Sequence, residues 1–176
     1  MYVNKTIFII CGKSGVGKTT LINELCSRYN LKTVESYTTR PKRTAKENHI
    51  FITIEEMNLL PDKLFEFEFA GHHYCITNEQ LNSADLFGLP PNACKDLYEK
   101  RNDFSNRFYI IYIKVSDDVR YERMLRRNDT NEWIAKRMSQ EEKYFFDIEN
   151  YVDKIVNNYD FEKCIGEIER CIFNEK

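Results

Sequence analysis

Two long apolar runs along the chain predict buried strands. The first is TIFIICG at residues 6–12, and the second is RFYIIYIKV at residues 107–115. Neither run alternates between apolar and polar positions, which is typical of parallel strands that are covered on both faces. DKIVNN at residues 153–158 predicts a third, shorter strand, and LKTVESY at residues 31–37 predicts another.

Segments with apolar residues at helical spacing follow these strands. KTTLINELCSRY predicts a helix that ends at Asn30, and SDDVRYERMLRRN predicts a helix with Ser116 as its N-cap. TNEWIAKRMSQEEKYFFDI and YDFEKCIGEIERCIF predict two more helices, the last with a continuous apolar stripe. Strands that alternate with helices indicate an α/β fold with a mainly parallel sheet.

The segment from residue 37 to residue 82 has a different pattern. FEFEF alternates strictly from Phe65 to Phe69, and GHHYCIT is also typical of a strand. Between Thr53 and Pro61 the chain predicts a short capped helix. We therefore predict a core made of residues 1–36 and 83–176, with a small sheet-containing insert at 37–82.

The stretch CGKSGVGKTT, which directly follows the first apolar run, matches the phosphate-binding pattern G-x-x-x-x-G-K-[ST]. Glycines let successive backbone N–H groups point at phosphate oxygens, and the following helix adds its free N–H groups. A strand before the motif and a helix after it predict a P-loop NTPase fold that binds ATP. The lysine would reach the outer phosphates, and the hydroxyl of Thr19 would ligate Mg²⁺. The predicted ATP-binding residues are Gly12, Lys13, Ser14, Gly15, Val16, Gly17, Lys18, Thr19 and Thr20.

Composition narrows the class of protein. The 176 residues carry a net charge of −2, which does not indicate a nucleic-acid or membrane partner. No apolar run reaches the roughly 18–20 residues that span a bilayer, and the N-terminal run is too short for a signal peptide. The six cysteines show no metal-binding spacing, so we expect reduced thiols and a cytoplasmic protein.

A second anion site is predicted in ESYTTRPKR. Arg40 and Arg43 lie three apart around a proline, and Ser36 adds a hydroxyl. Two guanidinium groups on a stiffened loop suit a monophosphate. Tyr74 follows a glycine turn and could donate to the same phosphate. An exposed basic loop is the alternative explanation of this stretch.

A third cationic cluster lies on two consecutive predicted helices. ERMLRRND and IAKRM carry Arg123, Arg127 and Arg137. A transferring phosphoryl group spreads negative charge over its oxygens, so arginines on a closing lid at about 123–140 would stabilise it. Lys18 and these three arginines are the predicted catalytic residues.

The order of these motifs resembles the guanylate kinase family of nucleoside monophosphate kinases. GKSGVGKTT, SYTTRPKR, FEFEFAGHHY, RMLRRND…IAKRM and VDKIVNNYDFEKC occur in the family's order over most of the chain. The resemblance implies a transferase of purine nucleotide metabolism with a monophosphate-binding insert and a helical lid. It implies that ATP, with Mg²⁺, donates a phosphoryl group to GMP or dGMP.

The resemblance also implies roles for single residues. Arg40, Arg43 and Tyr74 would hold the acceptor phosphate, and Asn158 would lie near the donor adenine. Ser36 would hydrogen-bond the guanine edge together with an acid of FEFEF, which we predict to be Glu66, with Glu68 as the alternative. Arg123, Arg127 and Arg137 would be the lid and transfer cations.

The chain departs from the family pattern at several positions. His49 stands where the family usually has a tyrosine, although an imidazole can still donate to phosphate. Ile76 replaces a hydroxyl residue that touches the base, and Asp85 is the only acid within 83–93. Because of these departures, a kinase of another nucleotide or of a sugar phosphate remains an alternative. A non-catalytic binding module is a further alternative, although its P-loop would typically be damaged.

Overall fold

Two four-stranded sheets make up the framework of the computed structural model, which describes residues 5–42, 49–69 and 71–174. The strands within these ranges are β1 (Thr6–Gly12), β2 (Tyr37–Thr38), β3 (Ile50–Phe51), β4 (Lys63–Phe69), β5 (His72–Thr77), β6 (Leu86–Leu89), β7 (Arg107–Lys114) and β8 (Lys154–Asn157).

The helices that the structure describes are α1 (Lys18–Tyr29), α2 (Ile54–Asn58), α3 (Asn78–Ser83), α4 (Pro91–Lys100), α5 (Asp117–Arg126), α6 (Asn131–Phe145) and α7 (Phe161–Asn174). Short 3₁₀ helices lie at Arg101–Asp103 and Ile148–Tyr151. No helix in the described ranges is both long and apolar enough to cross a bilayer.

The first sheet is parallel throughout, in the order β6-β1-β7-β8. Its two central strands are the two long apolar runs of the sequence. Ile9 of β1 lies between Phe87 of β6 and Ile110 of β7, so β1 is hydrogen-bonded on both sides. The loop that follows the carboxyl end of β1 therefore lies near the centre of the sheet. Ligands of open α/β sheets bind at such loops.

Helices cover both faces of this sheet with separate apolar clusters. On one face, Leu21 and Leu25 of α1 pack with Ile165 and Ile168 of α7. On the other face, α4 and the end of α6 contribute a cluster that contains Ala93, Cys94, Leu97 and Phe145. Burial on both faces explains why β1 and β7 consist almost entirely of apolar residues.

The prediction of a strand over residues 31–37 is wrong. Residues 31–36 make an isolated bridge between Thr33 and Leu86, and Tyr37 already belongs to β2 of the second sheet. The carbonyl group of Lys32 accepts hydrogen bonds from the N–H groups of Asp85 and Leu86, at 2.7 and 3.2 Å. The chain thus contacts β6, the edge strand of the core sheet, at Thr33 and enters the second sheet at Tyr37.

Helix ends follow the sequence signals closely. Asn30 ends α1 in a left-handed conformation with φ of 52°. Thr53 begins α2 through a reciprocal capping box with Glu56. Ser116 stands at the N-cap of α5 as predicted, but its hydroxyl makes no capping bond.

The second sheet has the order β3-β2-β5-β4 and combines parallel and antiparallel pairs. Its hairpin turns near Gly71, which has φ of 76°. In this hairpin Phe67 lies opposite Tyr74, and Glu66 lies opposite Cys75. Because successive side chains in a strand point to opposite faces, these two pairs occupy different faces of the sheet.

Asp85 has a structural position at the entry to β6. Its carboxylate accepts a hydrogen bond from the backbone N–H of Lys32 at 2.8 Å and pairs with Lys5 at 2.7 Å. Burial alone would raise the pKa of Asp85, but the contacts with Lys5 and Lys32 outweigh it and lower the pKa. Asp85 therefore ties the sheet edge together.

Candidate active site

The loop between β1 and α1 curls tightly around its own backbone. Gly15 and Gly17 have φ of 81° and 98°, values that residues with a side chain rarely adopt. A Cβ atom on Gly15 would lie 2.7 Å from the carbonyl oxygen of Arg120, and one on Gly17 would lie 2.8 Å from Asn158 Nδ2. Glycine is thus required both by the backbone angle and by the close neighbours.

Lys18 is the first residue of α1 and folds back over the loop. Its Nζ donates to the carbonyl oxygens of Gly12 at 2.5 Å and Lys13 at 3.1 Å. Burial lowers the pKa of Lys18, and the nearby carboxylate of Glu141 opposes this shift. Phosphate oxygens placed beside the ammonium group would favour its charged form further.

One cavity of about 280 Å³ joins the P-loop to the second sheet. Its walls come from the P-loop, α1, β6, the second sheet and α6. Nine of the predicted site residues line it, and they come from segments that are far apart in the sequence. These are Gly12, Ser14, Lys18, Thr19, Ser36, Arg40, His49, Tyr74 and Arg137.

The end of the cavity formed by the second sheet is polar and aromatic. Ser36 Oγ and His49 Nδ1 are hydrogen-bonded at 2.9 Å. Tyr74 stacks on Phe67 with ring centroids 5.3 Å apart and an angle of 7° between the planes. Arg40 is buried, and its backbone N–H donates to Thr38 Oγ1 at 3.1 Å. The other predicted arginine of this site, Arg43, lies outside the described residues.

The three predicted lid arginines have different surroundings. Arg137 lines the cavity, and its Nε donates to Ser14 Oγ at 3.0 Å. Arg123 instead donates to the backbone carbonyl groups of Val16 and Asn158, at 3.1 and 2.7 Å. Arg127 pairs with Asp129 at 2.5 Å. The expectation that all three face one site therefore differs from the structure, which brings only Arg137 to the cavity.

Asn158 lies behind the P-loop rather than in the cavity. Its side-chain nitrogen donates to the carbonyl group of Val16 at 2.8 Å, and its Oδ1 is buried without a hydrogen-bond partner among the described residues. The side chain of Val16 is itself buried in the core. Asn158 and Val16 therefore hold the loop in place from the side of the protein core.

The structure also differs from the expectation that Glu66 lines the cleft. Phe67 and Tyr74 take the cavity face of the hairpin, so the adjacent Glu66 points to the other face. There its carboxylate pairs with Lys63 at 3.0 Å. Glu68 lies on the same face as Glu66 and borders a separate hollow beside α6.

Two residues of the site were missed by the sequence reasoning. Phe67 lines the cavity, but the alternation of FEFEF does not say which of its faces packs against the core, so the sequence predicts no site role for it. Glu141 was given no role, yet it lines the cavity and accepts a hydrogen bond from the backbone N–H of Ser14 at 2.9 Å. Its position four residues after Arg137, on one helix face, was the available signal.

One hydroxyl group of the P-loop is placed where it could hold a metal ion. The described residues contain no group of three or more His, Cys, Asp or Glu side chains that could hold one. Thr19 lines the cavity beside Lys18. A Mg²⁺ ion that is ligated mainly by phosphate oxygens and water needs only one or two protein ligands, so a single hydroxyl fits this role.

The P-loop and Arg40 line one cavity, and this combination indicates the class of enzyme. Cationic side chains from two separate elements in one cavity suit direct phosphoryl transfer between two nucleotides, as in a nucleoside monophosphate kinase. Comparison with known proteins identifies the family.

A sequence model of the family "Guanylate kinase" matches residues 4–175. The guanylate kinase of Neisseria gonorrhoeae is 32% identical over 180 residues, covering 95% of this chain and 86% of that protein. The guanylate kinase of Thermosynechococcus vestitus is 29% identical and covers 96% and 93%. The chain belongs to the guanylate kinase family.

The crystal structure of guanylate kinase from Anaplasma phagocytophilum has the same fold. It superposes with a TM-score of 0.68 at 20% identity, covering 97% of this chain and 86% of that one. Together with the parallel sheet and its flanking helices, this confirms the predicted α/β P-loop fold.

We predict that Gly15→Ala damages the protein more than Gly71→Ala does. Both glycines have positive φ, which costs alanine about 1–2 kcal/mol. Only Gly15 has a backbone neighbour within 3 Å, whereas no described atom lies within 4 Å of a Cβ on Gly71. The overlap at Gly15 should add about 1–3 kcal/mol and weaken ATP binding. Urea denaturation and ATP titration measure both effects, and equal losses in the two variants would contradict this account.

Proposed function

We propose that this protein transfers the γ-phosphoryl group of ATP to GMP or dGMP, which yields ADP and GDP or dGDP. The observation that carries the proposal is that Lys18 of the P-loop, Arg40 just after β2 and Tyr74 of β5 line the same cavity. Its volume is about 280 Å³, and bringing the reacting phosphate groups of two nucleotides together in one cavity favours transfer between them.

The donor site in this proposal is the P-loop. The backbone N–H groups of its glycine-rich turn and of the start of α1 would hold the phosphates of ATP, and the Lys18 ammonium group would leave its carbonyl partners for the outer phosphates. The proposed donor residues are Gly12, Lys13, Ser14, Gly15, Val16, Gly17, Lys18, Thr19 and Thr20, with Asn158 supporting the loop near the adenine.

Mg²⁺ would bind with ATP, held on the protein side by the hydroxyl of Thr19. When bound, the ion neutralises negative charge on the phosphates. The position of Thr19 on the cavity wall, one residue after Lys18, supports this role.

The acceptor phosphate would bind at the other end of the cavity. Arg40 and Tyr74 would contact its oxygens, and His49, which is hydrogen-bonded to Ser36, would add a ring N–H. Arg43 completes this proposed site from outside the described residues. Phe67 gives the nucleotide an apolar wall beside Tyr74.

The transfer step would need no general base, because the attacking oxygen of a nucleoside monophosphate is already anionic. Lys18 and Arg137 would stabilise the charge on the transferring group, since both line the cavity. Arg123 and Arg127 would join them only if the segment 123–140 moves, which fits the expected closing lid.

Guanine would be selected by a carboxylate of the insert. Glu66 remains our predicted reader of the two guanine N–H donors, and a movement of the insert 37–82 would have to bring it to the base. Glu68 is the alternative acid on the same face. The family's relatives that carry the name guanylate kinase support guanine as the acceptor base.

ADP release with a panel of monophosphates tests the function. With ATP and Mg²⁺, GMP and dGMP should give turnover, while AMP, CMP, UMP and a sugar phosphate should give much less.

Lys18→Ala should lower kcat more than tenfold, because it removes a cation from the transferring phosphate, and tenfold corresponds to about 1.4 kcal/mol. Turnover with another acceptor in preference to GMP would contradict the proposal, as would a Lys18→Ala variant with near-normal kcat.

Arg40→Ala should mainly raise the KM for GMP and leave ATP affinity unchanged. A charge-assisted hydrogen bond contributes about 1.5–3 kcal/mol, so KM should rise by roughly 10- to 150-fold. Arg126→Ala is the matched control, because Arg126 is largely exposed and lies outside the cavity. Steady-state kinetics measures both substrates, and an equal loss of ATP affinity would place Arg40 in the donor site instead.

A further inference from the structure

A buried ion pair lies directly against the P-loop, and neither of its residues has been given a role in the function proposed above. Arg120 of α5 and Glu141 of α6 are each 1% exposed, and their side chains are in close contact. Burying two charges is costly, and such pairs are often no more stabilising than apolar residues of similar volume. Fold stability alone is therefore a weak explanation for this pair.

Both partners of the pair converge on Ser14 of the P-loop. The carboxylate of Glu141 accepts from the backbone N–H of Ser14 at 2.9 Å and from its hydroxyl at 2.5 Å. Arg120 Nε donates to the carbonyl oxygen of Ser14 at 2.8 Å. The donor and acceptor groups of one loop residue are thus fixed by two helices.

The same carboxylate also holds Arg137. The Nε of Arg137 lies 3.3 Å from Glu141 Oε1 and 3.0 Å from Ser14 Oγ. Arg137 therefore faces the cavity while it is attached to the P-loop through Glu141 and Ser14.

The buried contacts of Glu141 disfavour movement of its carboxylate away from Ser14 and Arg120. If Glu141 moved away, the guanidinium group of Arg120 would lose a buried partner, although Asp117 would still contact it at 2.5 Å. Because Asp117 is itself largely exposed, it would replace the buried carboxylate only poorly, and a buried charge with a weakened partner is unfavourable. Glu141 is therefore a fixed anchor rather than a mobile plug of the phosphate site.

We propose that Glu141 is a positioning residue for phosphoryl transfer, which holds the Arg137 guanidinium group and the Ser14 backbone in their catalytic geometry before nucleotides bind. The proposal rests on the function proposed above, in which Arg137 stabilises the transferring group. A cation that is positioned in advance needs no reorganisation during the reaction, so its loss of position raises the barrier. The effect should appear in kcat more than in the KM for GMP.

The direct test compares Glu141→Gln with Glu142→Gln. The two substitutions remove the same charge from neighbouring residues, and Glu142 is exposed. We expect Glu141→Gln to lower kcat about tenfold or more with little change in the KM for GMP, while Glu142→Gln behaves as wild type. Thermal unfolding shows whether Glu141→Gln is folded at the assay temperature, and Arg120→Met/Glu141→Gln provides an uncharged pair if it is not.

A double-mutant cycle separates positioning from a general structural effect. Glu141→Gln should lower kcat less than about twofold in an Arg137→Ala background, because the residue that it positions is already absent. The same fold-loss in both backgrounds would overturn the proposal. An Arg137→Ala variant with wild-type kcat would overturn it as well, together with the proposed role of Arg137.

Amide hydrogen exchange at Ser14 gives a readout that does not depend on turnover. Without nucleotide, Glu141→Gln should speed exchange of the Ser14 N–H at least about tenfold, whereas Glu142→Gln should not. Unchanged exchange at Ser14 would overturn the positioning role. If wild type phosphorylates no monophosphate but Ser14 exchange responds as expected, the proposed function fails while the anchoring of the loop by Glu141 stands.

Discussion

The close approach of other backbone segments to the P-loop is the constraint on which the site depends. Gly12 leaves room for Val16 and for the carbonyl group of Ile113 in β7, and Gly15 leaves room for the backbone of Arg120. The contacts with Ile113 and Arg120 join the loop to β7 and to α5. The loop that would bind ATP is therefore held in shape by the packing of the core sheet and the helix after β7.

Charge arrangement adds a second level of order to this loop. Lys18, Arg120 and Arg137 surround Ser14 with positive charge, and Glu141 is the buried anion among them. This arrangement keeps cations close to the phosphate site without leaving them unpaired in a buried environment. The second sheet and the residues beside its strands supply a separate group of polar side chains to the same cavity, so the two proposed phosphate sites would come from independent elements.

Local patterns in the sequence predicted those features that short segments determine. The continuous apolar runs gave β1 and β7, and the glycine spacing gave the phosphate loop, because both signals are contained within a few residues. The sequence does not predict which face of β4 lines the cavity. The alternation places Phe67 and Glu66 on opposite faces, but it does not show which face is turned toward the cavity. The contact between Ser14 and Glu141 joins residues 127 positions apart, and no local pattern reveals it.

The central claim is that one cavity holds both nucleotides with their phosphates facing each other. Titration calorimetry with a bisubstrate compound, in which adenosine and guanosine are joined through a chain of phosphates, tests it most directly. The account predicts binding at least 100-fold tighter than that of ATP or GMP alone, because the second nucleotide binds at high effective concentration, and competition by either nucleotide. Binding no tighter than that of ATP, and insensitive to added GMP, would contradict the account.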